Sequence, residues 1–209
     1  VVGSGNVGLV VGFQLLQAGC QVEAIIDAAP KIGGYGVHAA KIARFGVPFL
    51  MSHTVKEAHG KEKVDGATII QVDGAWQPIS GTEKRFDVDT ICIAVGLNPM
   101  TQLLRMSGCS MVHEPGLGGK VPAHDLNQET SIPNIYVAGD ASGIEEASTA
   151  IIEGRIAGLA IANKLGYLKD DEFHTKREEQ LQSMKGLRSG AHGEMRGKAK
   201  ERLNLAIKG

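Results

Sequence analysis

The feature that most constrains the fold of this chain is a set of spaced glycines at its beginning. Residues 1–8 read Val-Val-Gly-Ser-Gly-Asn-Val-Gly, so that Gly3, Gly5 and Gly8 form a Gly-x-Gly-x-x-Gly pattern after two β-favouring valines. In this pattern the first glycine permits a tight turn, the second admits a pyrophosphate near the backbone, and the third lets a helix pack closely on the sheet. The stretch therefore predicts the turn between a strand and a helix of a βαβ unit.

The residues after this turn extend the pattern to a complete βαβ unit. A helix is predicted to run through Val10 to Leu16 and to stop near Gly19, and a strand from Gln21 to Ile26 ends at Asp27. A carboxylate at that place is expected on an adenosine ribose, with the pyrophosphate on the helix N-terminus. The candidate nucleotide-binding residues are Gly3, Ser4, Gly5, Asn6, Val7, Gly8 and Asp27. The alternative is a βαβ unit whose glycine turn binds no ligand.

A second informative stretch runs from Pro133 to Asp140 and leads into a helical run from about Ile144 to Lys164. Residues 135–137 are apolar and β-favouring, which predicts a short buried strand, and Gly139 then allows a turn. Asp140 would lie at the carboxyl end of that strand, where its carboxylate can accept hydrogen bonds from a polyol. The following helix would point its N–H groups and positive dipole end at the same place. The alternative is an ordinary strand, turn and helix with an N-capping aspartate.

The middle of the chain predicts a β-meander and a strand terminator. Residues 64–72 and 86–95 have strand character and flank a turn-rich stretch around Asp73-Gly74, which favours antiparallel pairing. The second of these strands ends at Gly96, and Asn98-Pro99 then prevents its direct continuation. Residues 100–132 are predicted to be irregular, since glycines, Pro122 and scattered polar residues interrupt them.

Taken together, the three stretches resemble the motifs of the two-dinucleotide flavoproteins, the pyridine nucleotide–disulfide oxidoreductase superfamily. The resemblance implies that Asp140 binds the ribitol of FAD after the Gly139 turn, and that Glu146 and Ala147 lie near the pyrimidine side of the flavin. It also implies that residues 3–8 hold NAD or NADP, or another adenine nucleotide. Gly96 would mark the place where the chain leaves the NAD domain.

The fold class that follows is α/β. Residues 1–97 are expected to form a Rossmann-like three-layer nucleotide-binding domain with a β-meander, and residues 98–167 the returning part of an FAD-binding domain. Residues 168–209 are predicted to form a helical tail of two amphipathic helices around Gly190. The basic residues of that tail, Arg196, Lys198, Lys200 and Arg202, are predicted to form a solvated face. A docking surface for a partner subunit or missing domain is the alternative.

Two departures from the family pattern bear on chemistry. The chain has no Cys-x-x-Cys pair, and Val10 stands where the family usually has a glutamate near the flavin–nicotinamide junction. Hydride passage from NAD(P)H to the flavin is therefore in doubt. We identify no catalytic acid, base or nucleophile. The 7 histidines show no metal-ligand spacing, so no metal site is predicted and each is expected at the surface or as a cap.

Two phrases narrow the resemblance within the superfamily. Residues 27–35 and 139–147 resemble the flavoprotein subunits of bacterial amino-acid, opine and glycine (cyanide-forming) dehydrogenases and of heterotetrameric sarcosine oxidase. This implies a multi-subunit enzyme in which the flavin relays electrons. Because the first strand has only two residues before the glycine turn, we expect a piece of a longer protein that lacks its N-terminal FAD-binding region.

The expected function is that of an FAD-dependent oxidoreductase passing electrons between a small-molecule substrate, the flavin, and a nicotinamide nucleotide or partner subunit, within an oligomer. A net charge of -1 gives no general attraction to nucleic acid or to an anionic membrane. No apolar run is long enough to span a bilayer and no signal peptide is recognised, so a cytoplasmic location is expected. The alternatives are a regulatory or structural nucleotide-binding module without flavin turnover, and a subunit scaffold without a ligand.

Overall fold

The structure is a computed structural model that describes residues 1–206, and the side chains of all of these except 191, 192 and 204–206. The chain forms two compact units, one spanning Val1–Gly96 and the other beginning at Leu97. The first unit combines helices with a parallel and an antiparallel sheet, whereas most of the second is helical.

The centre of the first unit is a short parallel sheet. Its elements follow the chain as α1 (Asn6–Gln17), β1 (Ile25–Asp27), α2 (Gly36–Ala43) and β2 (Phe49–Met51). Strands β1 and β2 pair in parallel, with Ile26 opposite Leu50. Val2 adds parallel bridges to Ile26 on one side and to Ile93 on the other. The sheet thus has four parallel segments, namely Val2, β1, β2 and the segment around Ile93. The glycine turn follows Val2 directly, as the βαβ pattern predicts.

An antiparallel β-meander forms a second sheet in the same unit. Its strands are β3 (His53–His59), β4 (Gly66–Gln71) and β5 (Lys84–Phe86), in that spatial order. Strand β4 lies in the centre and pairs Ala67 with Ala58 on one side and with Phe86 on the other.

The parallel sheet is covered on both faces, which produces three layers. Successive residues of a strand point to opposite faces, so Ile25 and Ile26 enter different cores. Ile25 packs with Leu9 of α1 and Ile42 of α2. Ile26 packs with Ile69 of the meander. The predicted α/β class with a Rossmann-like three-layer domain and a β-meander is thus confirmed.

The strand predicted for residues 86–95 is wrong in extent. Its first residue belongs to β5 of the meander, whereas Ile93 forms a bridge in the parallel sheet. The backbone between Val2 and this segment is joined by hydrogen bonds from Val2 N to Cys92 O (2.8 Å) and from Ala94 N to Val2 O (2.7 Å). The apolar residues on both sides of Asp87 and Asp89 favour a strand, but their type does not indicate which sheet they join.

The second unit contains a hairpin and four helices among its described residues. In chain order the elements are α3 (Gln102–Met106), β6 (Met111–Glu114), β7 (Gly119–Pro122), α4 (Ala147–Lys164), α5 (Asp170–Leu187) and α6 (Ala191–Ala206). Strands β6 and β7 pair antiparallel through a short 3₁₀ turn at Pro115–Leu117. The expectation that residues 100–132 are irregular is therefore wrong. Gly118 and Gly119, which suggested irregularity, both have positive φ and close this hairpin.

The strand predicted at residues 135–137 is also wrong. Tyr136 makes one isolated antiparallel bridge, to Glu129, and Val137 N donates to Gln128 O at 2.9 Å. Asn134 adopts a positive φ of 69°, which bends the chain immediately before this segment. The apolar residues are thus extended but lack a continuous strand partner.

The two predicted tail helices are confirmed as α5 and α6, separated at Gly190. They pack against the rest of the second unit: Met184 of α5 contacts Ile156 of α4, and Leu203 of α6 contacts Leu117 after β6. Within the described part of the chain, no helix has the length and apolar character needed to cross a membrane.

Candidate functional site

The glycine turn in the first unit is tightly packed at two glycines and open at the third. Gly3 has a φ of +106°, and a Cβ there would overlap the carbonyl oxygen of Ala94. A Cβ at Gly8 would overlap the carbonyl oxygen of Gly3. At Gly5, in contrast, no atom lies within 4 Å of the place that a Cβ would take. The backbone at Gly5 is therefore open beside the N-terminus of α1, where the free N–H groups of a helix can bind an anion.

Asp27 holds the glycine turn together from the end of β1. Its Oδ2 accepts hydrogen bonds from the backbone N and the Oγ of Ser4, both at 2.7 Å, and its Oδ1 accepts from Ala29 N at 2.9 Å. Ser4 is fully buried. The sequence placed both residues near a nucleotide but did not predict that they bind each other. A carboxylate has about four acceptor positions, so this bonding leaves capacity for a ribose hydroxyl.

These hydrogen bonds also set the acidity of Asp27. Burial alone would raise the pKa of this carboxyl, but the hydroxyl of Ser4 and the backbone N–H groups of Ala29 and Ser4 outweigh it and lower the pKa. A carboxyl with a depressed pKa in the folded state stabilises the fold above its unfolded pKa. This contribution is lost as the pH falls through the folded-state value, which lies below the ordinary 3.8.

We expect Asp27→Asn to destabilise the first unit by about 2 kcal/mol at neutral pH, because hydrogen bonds to a charged acceptor are lost. The variant should also lose less stability than the wild type between neutral pH and about pH 3. Urea unfolding at both pH values measures this. Asp87→Asn is the matched control, since the Asp87 side chain is 90% exposed. Equal loss of stability in the Asp27 variant and the wild type on acidification would contradict the assignment.

A glycine-rich loop before α2 is attached directly to the glycine turn. Gly33 N donates to Ser4 Oγ (3.1 Å), and Gly34 N donates to Ser4 O (2.8 Å). Tyr35 N donates to Asn6 Oδ1 at 2.8 Å. A Cβ at Gly34 would lie 2.9 Å from Asn6 N, so this close approach requires glycine. The Gly-Gly pair was the signal in the sequence that could have identified this contact.

The second candidate cluster is the 3₁₀ turn Gly139–Ser142, called here the Asp140 turn. Gly139 has a φ of +69°, and Asp140 is exposed. Helix α4 begins five residues after the turn, at Ala147, with Glu146 as its N-cap in an extended conformation. Among the described residues, no side chain caps this helix, so its first N–H groups are free to bind a ligand.

The two glutamates at the start of α4 are each paired with an arginine of the C-terminal helical region. Glu145 receives two hydrogen bonds from Arg188, at 3.1 and 2.6 Å, and its side chain is only 5% exposed. Glu146 accepts from Arg196 at 3.1 Å in a more exposed pair. These arginines offset negative charge that would otherwise oppose an electron-rich ligand at the helix N-terminus.

A buried ion pair lies directly behind the Asp140 turn. Glu153 of α4 and Lys200 of α6 are 1% and 3% exposed, and Lys200 Nζ lies 2.8 Å from Glu153 Oε1. Burial alone would raise the pKa of Glu153, but the charge of Lys200 and the hydrogen bonds at this carboxylate outweigh it and lower the pKa. The prediction that Lys200 lies on a solvated face is therefore wrong. Lys200 points inward from α6. The residue before it, Ala199, is also buried and packs in an apolar cluster with Leu203.

His124 is a second inward-facing group that the sequence did not indicate. It was predicted at the surface or as a cap, yet it is 2% exposed after β7. Its Nδ1 lies 3.0 Å from Asp125 O. Burial, together with the nearby charge of Lys200, lowers its pKa and keeps the imidazole neutral.

The structure thus groups the predicted site residues into two clusters, one in each unit. In the first unit, residues 3–8 lie beside Asp27, and Gly96 follows the strand segment that contacts Gly3. In the second unit, Gly139, Asp140, Glu146 and Ala147 lie in the Asp140 turn and at the start of α4.

A glycine turn that is open at Gly5 and leads into a helix, in a three-layer α/β unit, is typical of the class of nucleotide-binding α/β proteins. The model of one such family, described as pyridine nucleotide-disulphide oxidoreductase, matches residues 1–154. This chain belongs to that family. Its members are flavoprotein oxidoreductases that use FAD and NAD(P), which confirms the predicted enzyme class and cofactors at the level of the family.

Comparisons with individual proteins agree with this assignment. The chain is 27% identical to hydrogen cyanide synthase subunit HcnB of Pseudomonas aeruginosa over 91% of its own length and 45% of the relative. It is 36% identical to an opine oxidase subunit of Rhizobium meliloti over 40% of its length and 18% of the relative. The expected similarity to subunits of this kind is confirmed. The chain thus spans less than half the length of these relatives.

The fold of this chain is also similar to those of solved structures. Thioredoxin reductase from T. acidophilum superposes with a TM-score of 0.64 at 26% identity, covering 78% of this chain and 51% of that protein. A Lactococcus lactis thioredoxin reductase, at 18% identity, has the same TM-score and supports the fold alone.

Proposed function

We propose that this chain is part of an FAD-dependent oxidoreductase that passes electrons between a small-molecule donor, the flavin, and a nicotinamide nucleotide or partner subunit. The observation that carries the proposal is the Asp140 turn, which presents an exposed carboxylate seven residues before α4, a helix whose first N–H groups are free. The FAD itself supplies the redox chemistry when it is bound.

The roles of the protein residues follow from their chemistry. The Asp140 carboxylate accepts hydrogen bonds from ribitol hydroxyls and so fixes the position of the flavin along the turn. The first N–H groups of α4, from Ala147 onward, donate to the pyrimidine side of the flavin ring. The positive end of the helix dipole favours negative charge there. Arg188 and Arg196 keep Glu145 and Glu146 from cancelling this effect.

The glycine turn of the first unit is proposed to hold the nicotinamide nucleotide. Its pyrophosphate would occupy the open space at Gly5, with hydrogen bonds from the N-terminus of α1. Asp27 would accept a hydrogen bond from a ribose hydroxyl while it continues to fix Ser4. Val7 is half exposed beside this turn and contributes its backbone N–H, and Gly96 borders the same edge of the sheet.

We expect Asp140→Ala to weaken FAD binding by about 10- to 100-fold, the loss expected for hydrogen bonds to a charged acceptor. Quenching of flavin fluorescence gives the affinity, and the titration uses the full-length protein, since this chain spans less than half the length of its relatives. Asp171→Ala, which removes another carboxylate of the second unit at the start of α5, should leave the affinity unchanged. A wild-type protein that does not bind FAD, or an Asp140 variant that binds it as tightly as the wild type, would refute the flavin assignment.

A second candidate function is a nucleotide-binding module without flavin turnover. It is favoured by Val10, an apolar residue on α1 at the position where the family usually has a glutamate. Adding NADH anaerobically to the FAD-loaded protein separates the two: bleaching of the flavin supports the oxidoreductase, whereas nucleotide binding without bleaching supports the module.

We further propose that the protein acts together with other subunits. The two named relatives are both subunits of larger enzymes by name, and this is the support for a partner here.

A further inference from the structure

Helix α6 contacts the Asp140 turn through one buried lysine. Lys200 lies on α6, 58 residues from Ser142 in the chain, yet its Nζ donates to Ser142 O at 3.0 Å and to Ser142 Oγ at 2.6 Å. The same ammonium group lies 2.8 Å from Glu153 Oε1. These three close polar contacts of the ammonium group are therefore all with the turn or with the carboxylate behind it.

Glu153 binds the turn from its other oxygen. Its Oε2 accepts from Gly139 N at 2.8 Å and from Ser142 Oγ at 2.7 Å. Gly139 and Ser142 are the first and last residues of the turn. One carboxylate and one ammonium group thus hold both ends, while Asp140 between them remains exposed.

Ala138, the residue before the turn, offers no side-chain cap, so the first N–H of the turn, that of Gly139, is bound by Glu153 instead. A buried charge is tolerated only where its partner and its hydrogen bonds compensate for lost hydration. Removal of Lys200 would leave Glu153 without its nearest cation, although Arg188 Nη2 lies 3.3 Å from Glu153 Oε1. It would also leave the carbonyl oxygen of Ser142 without this donor.

We propose that Lys200 is a positioning residue for the cofactor site, and that it sets the conformation of the Asp140 turn through Ser142 and Glu153. Helix α6 is then a structural part of that site rather than an independent tail. The identity of the ligand at Asp140 rests on the function proposed above, whereas the effect of Lys200 on the turn does not.

The test compares Lys200→Met with Lys198→Met, which removes an exposed lysine from the same helix. In the folded Lys200 variant, the NMR amide resonances of Gly139, Asp140 and Gly143 should shift from their wild-type positions. The affinity of the full-length protein for FAD should fall at least tenfold. The Lys198 variant should match the wild type in both measurements.

A double variant, Glu153→Gln with Lys200→Met, guards against simple misfolding because it leaves no unpaired charge at Glu153. It should fold and still show shifted resonances in the Asp140 turn, since the lysine hydrogen bonds to Ser142 are absent. A folded Lys200 single or double variant with wild-type resonances in the turn would overturn the proposal, because Lys200 would then contribute only to overall stability.

The two proposals fail in distinguishable ways. If the resonances of the turn move but the wild-type protein does not bind FAD, the assignment of FAD to Asp140 is wrong and the role of Lys200 in the turn stands. If the wild-type protein binds FAD and the Lys200 variant retains both the affinity and the resonances, the flavin assignment stands and the role of Lys200 is refuted.

Discussion

Replacement of Gly8 by alanine should destabilise the first unit by about 3 kcal/mol, at the upper end of the usual cost of overpacking. The added Cβ would overlap the carbonyl oxygen of Gly3 and would lie 3.3 Å from Ala94 Cβ. Gly3 cannot move aside easily, because its own Cα faces the carbonyl of Ala94. In a unit of this size we expect the midpoint of thermal unfolding, followed by circular dichroism, to fall by at least about 10 °C.

Gly5→Ala is the matched control for this prediction. Gly5 has an ordinary extended φ of -68°, and no atom lies within 4 Å of the place that the added methyl group would take. The variant should therefore keep its stability within about 1 kcal/mol. Its affinity for NADH should nevertheless fall, since the methyl group would fill the space proposed for the pyrophosphate.

Each outcome of this pair tests a separate statement. Equal stability of the Gly8 and Gly5 variants would contradict the packing of the turn. Unchanged NADH affinity in a folded Gly5 variant would refute the proposed position of the pyrophosphate, while the packing argument at Gly8 would stand.

The glycine turn could be predicted from the sequence because its determinants are local. The spacing of Gly3, Gly5 and Gly8 reports directly on a strand, a turn and a helix that follow each other in the chain. The positions of the tail helices on either side of Gly190 could be predicted for the same reason, since a helical period repeats within a few residues.

The features that escaped prediction depend on contacts distant in sequence. The change of sheet between Phe86 and Ile93 is decided by which strands lie beside them, not by their own β propensity. The bond between Ser4 and Asp27 joins residues 23 positions apart. The inward direction of Lys200 is set by Glu153 and Ser142, which the composition of α6 does not indicate.

Replacement of Arg188 by alanine is the prediction with the largest expected effect on the second unit, about 3–5 kcal/mol. Arg188 is the bidentate partner of Glu145, whose side chain is 5% exposed, and it also reaches Glu153 at 3.3 Å. Its removal would leave two carboxylates in a poorly hydrated place with less compensating charge. Denaturant unfolding, with amide exchange in α4 to localise the effect, measures the loss.

Arg196→Ala provides the comparison, because Arg196 pairs with the adjacent glutamate in the same chain segment. That pair is solvent-accessible, with side chains 29% and 52% exposed, so its loss should cost no more than about 1 kcal/mol. If the burial of an ion pair, and not only its presence, determines how much it adds to the free energy of unfolding, the Arg188 variant must be less stable than the Arg196 variant by at least about 2 kcal/mol. Adding Glu145→Gln to the Arg188 variant should then recover part of the loss, because it removes the charge left unpaired. Similar stability of the two arginine variants would show instead that Glu145 remains hydrated without its partner, and that the start of α4 does not need Arg188 to tolerate its glutamates.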